Sequence, residues 1–445
     1  MKLDKILMKQ IIRESQEASL PQVLPRDIKL PRDPNKIIAV TGPRRSGKTY
    51  LLYGLIKELL ATSISPERIV YLNLEDPRLW PFDTSGFEIF LEAYRELYPS
   101  SVLDSSLKSY IFLDEVQAGK NWESGVRRLY ETRKFHIFIT GSSSRLMSYD
   151  IATELRGRAL TYELFPFSFA EFLKARGIIV NEVSQYSAVR FSLAHSLDEY
   201  LTYGGFPEVV LTDSDEQKFK ILKSYMETMF IRDLIERYEI RNPAVLRELA
   251  RQLATSIASQ FSANAFYRWI KTTYPVTKRT VINYAKYLED SRLFIMLARM
   301  SSSLKEQVQS PKKVYLVDVG LKEVFGFGQS RDTGRRLENT VVIELMRRKA
   351  RNPRLDVFFW KDAGKREVDC IVTESGHPVD LIQVCANLSD IKVKEREFRA
   401  LVTASNELNC SELKVVTMDE EAEETVEKKK IKIIPAWKWL IGLET

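Results

Sequence analysis

The chain has 445 residues, 44% of them hydrophobic, and carries 67 Lys and Arg against 60 Asp and Glu, for a net charge of +7. This length predicts about two to four domains, and the apolar fraction excludes a disordered or fibrous chain. The three cysteines are widely spaced and the chain has only three histidines. We therefore expect reduced thiols and neither a disulfide nor a zinc site. No stretch resembles a signal peptide or a membrane-spanning helix, which predicts a cytoplasmic protein that has no membrane partner.

Residues 1–35 are predicted to form an N-terminal helix and a charged, proline-rich linker. After the linker, apolar strand patterns at 37–41, 69–74, 110–115 and 136–140 alternate with helical patterns. Strands that alternate with helices indicate an α/β fold with a parallel sheet, here assigned to residues 36–167.

A phosphate-binding loop, Gly42-Pro-Arg-Arg-Ser-Gly47-Lys48-Thr49, lies between the first strand and a helix. Its glycines let backbone N–H groups face phosphates, the lysine can reach the β and γ oxygens, and the threonine hydroxyl can bind Mg²⁺. The alternative, a chance match in an ordinary loop, is disfavoured by the flanking strand and helix. No Asn-Lys-x-Asp guanine motif follows, which favours ATP over GTP. The predicted nucleotide-binding residues are Gly42, Pro43, Arg44, Arg45, Ser46, Gly47, Lys48, Thr49 and Tyr50.

Tyr110-Ile-Phe-Leu-Asp114-Glu115 is an apolar strand that ends in two adjacent carboxylates, the Walker B pattern. Asp114 is predicted to hold Mg²⁺ together with Thr49, and Glu115 to polarise the attacking water. With Lys48 these residues would make the chain an ATP hydrolase.

Two further features are candidates for roles near the γ-phosphate. Ser142 begins a run of three serines after the fourth strand and is a candidate nucleotide sensor, although a simple helix cap explains the run equally well. Arg156 and Arg158 precede the next apolar stretch. Arg158 is the stronger candidate for an arginine finger, acting in cis or from a neighbouring subunit, and a solvated surface charge is its alternative.

Together the motifs GPRRSGKT, YIFLDEVQ, ITGSSSRLM, LRGR, LFPFSFAEFL and Tyr203-Gly-Gly-Phe-Pro207 resemble the landmarks of prokaryotic and archaeal AAA+-like P-loop ATPases that carry a C-terminal domain of unknown function. The resemblance implies an α/β fold with an ASCE-type P-loop sheet, a winged-helix domain and a C-terminal domain similar to PD-(D/E)XK (restriction-endonuclease-like) nucleases. It also implies a homo-oligomer. Residues 168–240, helical in pattern, resemble the small helical lid that follows AAA+ cores.

Residues 241–313 carry thirteen Lys and Arg against four Asp and Glu. Two short helical patterns, 262–270 and 277–288, resemble a helix-turn-helix, and 292–317 would form the wing of a winged-helix domain at 241–325. Val276, Val281, Tyr284 and Leu288 are predicted to face the core. The concentrated positive charge favours DNA binding, although a solvated face or a protein-binding module would look similar. The predicted nucleic-acid contacts are Lys278, Arg279, Asn283, Lys286, Lys305 and Lys312.

The C-terminal segment, 326–445, departs from the nuclease pattern. Glu338 and Asp369 match acidic positions of that pattern, but Gln383 and Cys385 stand where the second carboxylate and the lysine belong. An amide and a thiol supply neither the charge nor the metal ligand that the chemistry needs. We expect no nuclease activity, and Lys392 and Lys394 are the nearby residues that could replace the missing lysine.

These observations predict an ATPase that uses Mg²⁺ and ATP to remodel DNA or move along it, with branched or forked DNA as candidate substrates. Two alternatives remain: a nucleotide-dependent switch or scaffold with protein partners in defence or transcription control, and, less favoured, an ATP-dependent nuclease.

Overall fold

The computed structural model describes residues 3–99, 108–141, 154–180, 189–301, 303–325 and 332–443. The chain divides into two compact units, Met1–Leu164 and Phe165–Thr445. The first boundary lies three residues before the predicted end of the P-loop core at 167. Residues 168–240, 241–325 and 326–445, predicted as separate domains, fall within one compact unit.

The first unit is built on a parallel sheet of strands β1 (Ile37–Thr41), β2 (Ile69–Asn73), β3 (Ser109–Asp114), β4 (Phe135–Thr140) and β5 (Ala159–Glu163). The strand order is β2-β3-β4-β1-β5 and every pairing is parallel. The prediction of a parallel α/β sheet is confirmed, and the four predicted strands match within one residue at each end. The continuous apolar runs of β1, β3 and β4 are buried throughout, as expected for strands covered on both faces.

Helices α1 (Lys5–Glu17), α2 (Lys48–Ala61), α3 (Thr84–Leu97) and α4 (Trp122–Glu131) accompany this sheet. The buried side chains of α1 and α3 share one apolar cluster with alternate residues of the strands. Those of α2 form a second cluster with the remaining strand residues, including Ile38 and Val40. Strands β3, β4 and β1 are neighbours in the sheet and run parallel, so their carboxyl ends lie side by side. Parallel sheets bind ligands at the carboxyl ends of their strands.

The second unit begins with α5 (Phe169–Ala175), α6 (Val189–Tyr203), α7 (Pro207–Val210) and α8 (Asp215–Thr228), followed by a π-helical turn at Met229–Ile235. The predicted helical character of this region is therefore confirmed. The helix breaks at Gly204 and Gly205, where the backbone approaches Asp318 closely: Gly204 has φ +75°, and a Cβ there would lie 1.7 Å from Oδ1 of Asp318.

A small antiparallel sheet follows, with strand order β6-β8-β7. The segment that contains this sheet is formed, in chain order, by α9 (Pro243–Thr255), β6 (Ser259–Phe261), α10 (Ala263–Ile270), α11 (Lys278–Asp290), β7 (Phe294–Leu297), α12 (Leu304–Gln309) and β8 (Lys312–Leu316). The two predicted short helices are α10 and α11. Of the residues predicted to face the core, Val281, Tyr284 and Leu288 are buried, and Val276 is half-buried.

The rest of the unit is a mixed sheet with helices packed on it. After α13 (Leu321–Phe325) and α14 (Thr333–Arg351), the chain forms β9 (Leu355–Lys361), β10 (Glu367–Glu374), β11 (His377–Val384), α15 (Ile391–Leu408), β12 (Leu413–Thr417), β13 (Ala422–Val426), β14 (Lys429–Pro435) and α16 (Ala436–Leu440). The strand order is β13-β14-β12-β11-β10-β9. Strands β9 to β11 are antiparallel, and β12 lies parallel to both β11 and β14. Among the helices described, none has the length and apolar character needed to cross a membrane.

Candidate nucleotide-binding site

The loop between β1 and α2 has a backbone that requires glycine at both ends. Gly42 has φ +151°, and a Cβ there would lie 2.1 Å from the carbonyl oxygen of Leu164. Gly47, with φ +95°, is the N-cap of α2 and leaves the first turn of that helix without a side-chain cap. The uncapped N–H groups at a helix N-terminus, together with the helix dipole, form a ready anion site.

Lys48 and Ser46 bring polar atoms into the same loop. Lys48 is 4% exposed, and its Nζ donates to the carbonyl oxygens of Gly42 at 3.2 Å and Pro43 at 3.1 Å. The buried Ser46 Oγ has no hydrogen-bond partner among the described residues. A buried ammonium and a buried hydroxyl suit an acceptor-rich ligand, so the residues present fit a phosphate group. Arg26, which the motif did not indicate, donates to the Ser46 carbonyl oxygen at 2.8 Å.

The carboxylate of Asp114, at the end of β3, is the centre of the polar network beside the loop. Its Oδ2 accepts hydrogen bonds from Thr49 Oγ1 at 2.7 Å and from the Tyr71 hydroxyl at 2.7 Å. Its Oδ1 accepts one from Thr140 Oγ1, at the end of β4. The fold thus brings together Thr49 and Asp114, the two predicted Mg²⁺ ligands. A hydroxyl and a carboxylate are oxygen ligands of the kind that Mg²⁺ requires.

Glu115 is half-buried and follows Asp114 in a left-handed backbone conformation, φ 51°. Its N–H donates to Thr140 Oγ1 at 3.0 Å, and its carboxylate accepts a hydrogen bond from Gln117 Nε2. The Thr140 hydroxyl therefore contacts both the predicted Mg²⁺ ligand, through the Asp114 carboxylate, and the predicted catalytic residue, through the Glu115 N–H.

Tyr71 and Thr140 were not indicated by the motifs. Burial, and then the nearby Asp114 carboxylate, raise the pKa of Tyr71 far above its ordinary value, so its hydroxyl stays protonated and donates to Asp114. The available signal for Thr140 was its position as the polar last residue of a buried strand next to the Walker B strand. Tyr71 carried no signal, because aromatic residues are common in strands.

The remaining candidates at this site lie elsewhere or outside the described residues. Ser142 falls among residues that the structure does not describe. Tyr50 is 51% exposed on α2. Arg158 directly precedes β5, and β5 runs parallel to β1 with Ala159 opposite Ile37. Arg158 therefore lies at the amino ends of the strands, whereas the loop lies at their carboxyl ends, roughly 16 Å away along the strand. Arg158 pairs with Glu131 at 3.7 Å. The in-cis finger does not fit this position, which leaves a finger from a neighbouring subunit and a surface charge as the alternatives.

The predicted nucleic-acid contacts lie mainly on α11. Lys278, Arg279, Asn283 and Lys286 are exposed there, opposite the buried face of the helix. Lys305 is exposed on α12, whereas the half-buried Lys312 forms an ion pair with Glu289 at 3.3 Å.

In the C-terminal segment the fold brings Asp369 and Gln383 together, with the Asp369 N–H donating to Gln383 Oε1 at 3.3 Å. The two candidate replacement lysines do not join them: Lys392 is exposed, and Lys394 pairs with Glu424 at 2.5 Å. Another lysine, Lys313 from β8, contacts Glu338 and Asp369 instead. The sequence placed Lys313 in the predicted wing, and no pattern indicated its contact with these carboxylates.

Three protein-family models match the chain in succession. The first, described as an AAA domain, matches residues 34–173. The other two are domains of unknown function, DUF8612 at residues 194–330 and DUF4143 at residues 333–439. The first match, together with the sheet and loop above, shows a P-loop nucleotide-binding domain of the AAA type.

Relatives match along most of their length. An uncharacterized protein of Methanocaldococcus jannaschii, MJ1544, is 36% identical over 98% of this chain and 95% of its own. An uncharacterized protein of Haemophilus influenzae is 30% identical over 71% of this chain and 76% of its own. Among solved structures, the Walker-type ATPase PABY2304 of Pyrococcus abyssi aligns over 73% of this chain and 96% of its own, with 12% identity and a TM-score of 0.43.

Proposed function

The chain belongs to the family of MJ1544 of Methanocaldococcus jannaschii, and because its own AAA domain holds the Walker A and Walker B residues side by side, we propose that it hydrolyses ATP with Mg²⁺ and couples hydrolysis to remodelling of DNA or movement along it. The observation that carries the ATPase proposal is the hydrogen bond of 2.7 Å between Thr49 and Asp114. It joins the phosphate-binding loop to the Walker B strand at one point of the sheet.

The chemistry follows from the residues around that point. Bound Mg²⁺ would neutralise charge on the β and γ phosphates, and Thr49 and Asp114 are the residues that would hold it. Lys48 and the N–H groups of the loop bind and orient the phosphates. Glu115 polarises the attacking water, and Thr140 fixes the positions of Asp114 and Glu115 relative to each other. Little covalent chemistry is asked of the protein, because phosphoryl transfer depends mainly on positioning and charge stabilisation.

The DNA part of the proposal depends on the segment 243–316. Its order of helix, strand, two helices and two antiparallel strands, with the short α12 between those strands, resembles that of a winged helix, and we propose that α11 is its recognition helix. The exposed Lys278, Arg279, Asn283 and Lys286 would contact phosphates or base edges, and Lys305 and Lys312 would lie in the wing. We further propose that residues 326–445 form a restriction-endonuclease-like domain that has lost nuclease activity.

We propose that the working form is a homo-oligomer in which Arg158 of one subunit completes the ATP site of the next. Complementation tests this. Arg158→Ala and Lys48→Ala are each expected to be inactive alone, and a mixture is expected to regain turnover, because an intact Arg158 then faces an intact loop. A mixture as inactive as its components would refute the role of Arg158 in trans.

Steady-state ATP hydrolysis by the wild type and by Glu115→Gln, with and without single-stranded, duplex and branched DNA, tests the main proposal. We expect one DNA form to stimulate the wild type and no form to stimulate Glu115→Gln. Turnover that no DNA changes would refute the coupling to DNA, and an inactive wild type would refute the ATPase.

Charge-matched variants separate specific DNA contacts from general positive charge. Lys278→Ala with Arg279→Ala is expected to weaken DNA binding and to reduce the slope of log affinity against log salt by about 2, roughly one for each lost phosphate contact. Lys220→Ala with Lys223→Ala removes the same charge from the exposed surface of α8 and is expected to leave DNA binding unchanged. Equal effects of the two pairs would contradict the assignment of α11.

One observation favours the alternative of a nucleotide-dependent switch with protein partners. Leu304 and Val308 on α12 are 79% and 77% exposed, and Trp269 and Ile282 are 54% and 47% exposed on α10 and α11. Exposed apolar side chains beside cations suit a protein surface as well as DNA. Capture of a protein partner that requires ATP, with hydrolysis indifferent to DNA, would favour this second function.

A further inference from the structure

Three carboxylates of the second unit surround a single ammonium group. Lys313 Nζ lies 2.7 Å from Glu338 Oε1, 2.8 Å from Glu367 Oε1 and 2.9 Å from Asp369 Oδ1. Lys313 is 1% exposed, and Glu338 and Asp369 are 8% and 6% exposed. A buried cation is therefore held by anions from two separate elements, α14 and β10.

The lysine comes from β8, a strand of the small antiparallel sheet, whereas the carboxylates belong to the C-terminal mixed sheet and its helix. Neighbouring residues strengthen the same connection. The Tyr315 hydroxyl donates to Glu338 Oε1 at 2.7 Å. Asn339 pairs with the Leu316 backbone, accepting from its N–H at 2.8 Å and donating to its carbonyl oxygen at 2.9 Å. Side chains and backbone of β8 are thus fixed to α14 by polar contacts.

A metal-dependent nuclease site of the related fold would need these carboxylates for a divalent cation, and the residues present do not fit one. The ammonium group lies among the carboxylate oxygens at hydrogen-bonding distance, where a metal ion would have to bind. Gln383 adds no negative charge, and its Nε2 donates to Glu397 Oε2 at 2.6 Å. Among the described residues, no group of His, Cys, Asp and Glu is arranged to hold a metal ion.

The electrostatics agree with the geometry. Burial lowers the pKa of Lys313, but the surrounding acidic groups, Asp369 first, outweigh burial and raise it well above its ordinary value. Burial, and then repulsion by Asp369, raise the pKa of Glu338 to about 7. Without the ammonium, at least two carboxylates would face each other in a water-poor site.

We propose that the Lys313 ammonium is the resident cation of the Glu338, Glu367 and Asp369 cluster, in place of a divalent metal ion, and that it fixes β8 to the C-terminal domain. The segment 243–316 and the C-terminal domain, residues 326–445, then move as one body. The cluster is a structural site of this chain and takes no part in nucleotide hydrolysis.

The test compares Lys313→Met with a matched control, Lys361→Met, in the full-length protein. Lys361 Nζ also pairs with Glu367, at 3.0 Å, but its side chain is 31% exposed and lies outside the buried group. We expect Lys313→Met to lower the melting temperature by about 6 °C or more, because it leaves buried carboxylates without a cation. Lys361→Met is expected to change it by less than about 2 °C.

Metal dependence and charge balance complete the experiment. Every variant in this arm carries Asp114→Asn, which removes the proposed Mg²⁺ ligand of the nucleotide site. With Lys313 intact, the melting temperature is expected to be the same in EDTA and in millimolar MnCl₂, whereas MnCl₂ should partly restore that of Lys313→Met. Adding Asp369→Asn to Lys313→Met should recover part of the lost stability and remove the response to MnCl₂. This double variant keeps the test decisive if Lys313→Met alone does not fold.

Three results would overturn the proposal. They are Mn²⁺ binding by the chain with Lys313 intact that Asp369→Asn abolishes, equal melting of Lys313→Met and Lys361→Met, and a destabilised Lys313→Met that neither MnCl₂ nor Asp369→Asn restores.

Discussion

The phosphate-binding loop should tolerate no side chain at Gly42, and Gly42→Ala tests this prediction. Two separate features of the loop oppose the added methyl group. The backbone has φ +151°, and the new Cβ would lie 2.1 Å from the Leu164 carbonyl oxygen. Gly157→Ala is the matched control, because Gly157 also has a positive φ, +72°, but a Cβ added there would meet no described atom within 4 Å.

The expected magnitudes follow from these two features. A non-glycine residue forced into a glycine-only backbone conformation costs about 1–3 kcal/mol. The clash also displaces Leu164, whose N–H donates to the Thr41 carbonyl oxygen at 2.7 Å, and losing that hydrogen bond costs about another 1 kcal/mol. We therefore expect Gly42→Ala to lose about 2–4 kcal/mol, and Gly157→Ala about 1 kcal/mol from its left-handed backbone alone.

Thermal unfolding and binding of a fluorescent ATP analogue measure the two consequences. For a unit of this size, the losses correspond to a fall in melting temperature of about 10 °C for Gly42→Ala and about 3 °C for Gly157→Ala. Gly42→Ala should also lose nucleotide binding, because Lys48 Nζ is held by the carbonyl oxygens of Gly42 and Pro43. Equal melting temperatures, with binding retained in both variants, would refute the steric argument.

Three further predictions concern the Asp114 network and the second unit. Thr140→Val should lower kcat about tenfold to a hundredfold, because misplaced catalytic groups lose much of their effect. The affinity for ATP, measured in a separate binding assay, should be unchanged. Tyr71→Phe should raise the Mg²⁺ concentration for half-maximal hydrolysis about tenfold, because Asp114 loses a donor that orients it; an unchanged Mg²⁺ titration would contradict this. Burial raises the pKa of Asp318 to about 6, partly opposed by the N–H groups of Gly205 and Gly320. Since the folded pKa exceeds the unfolded value, this contribution to stability is complete below about pH 4 and is lost as the pH rises through about 6, for a total of about 3 kcal/mol. Urea unfolding at several pH values should show a shallower slope in Asp318→Asn, and an unchanged slope would show that other groups cause it.

Several features of this protein are local in sequence and could be predicted from it. The glycine spacing of residues 42–49 determines the loop, and the apolar runs before Gly42 and Asp114 determine two buried strands. On α11 the helical period separated the buried Val281, Tyr284 and Leu288 from the exposed cations. In each case the pattern and the structure it forms span fewer than about twenty residues, so short-range geometry is sufficient.

Tertiary structure decided the rest, because it depends on which distant segments become neighbours. The order β3-β4-β1 places Thr140 against Asp114 and Glu115, and β2 adds the hydroxyl of Tyr71. The pairing of β5 with β1 places Arg158 at the amino ends of the strands, away from the loop at their carboxyl ends. Lys313 reads as one more cation in a basic segment, yet it is buried among carboxylates that follow it by 25 to 56 residues. Sequence alone determines the chemical type of such a residue, but its partners come from long-range packing, and they decide whether its charge binds a ligand or stabilises the fold.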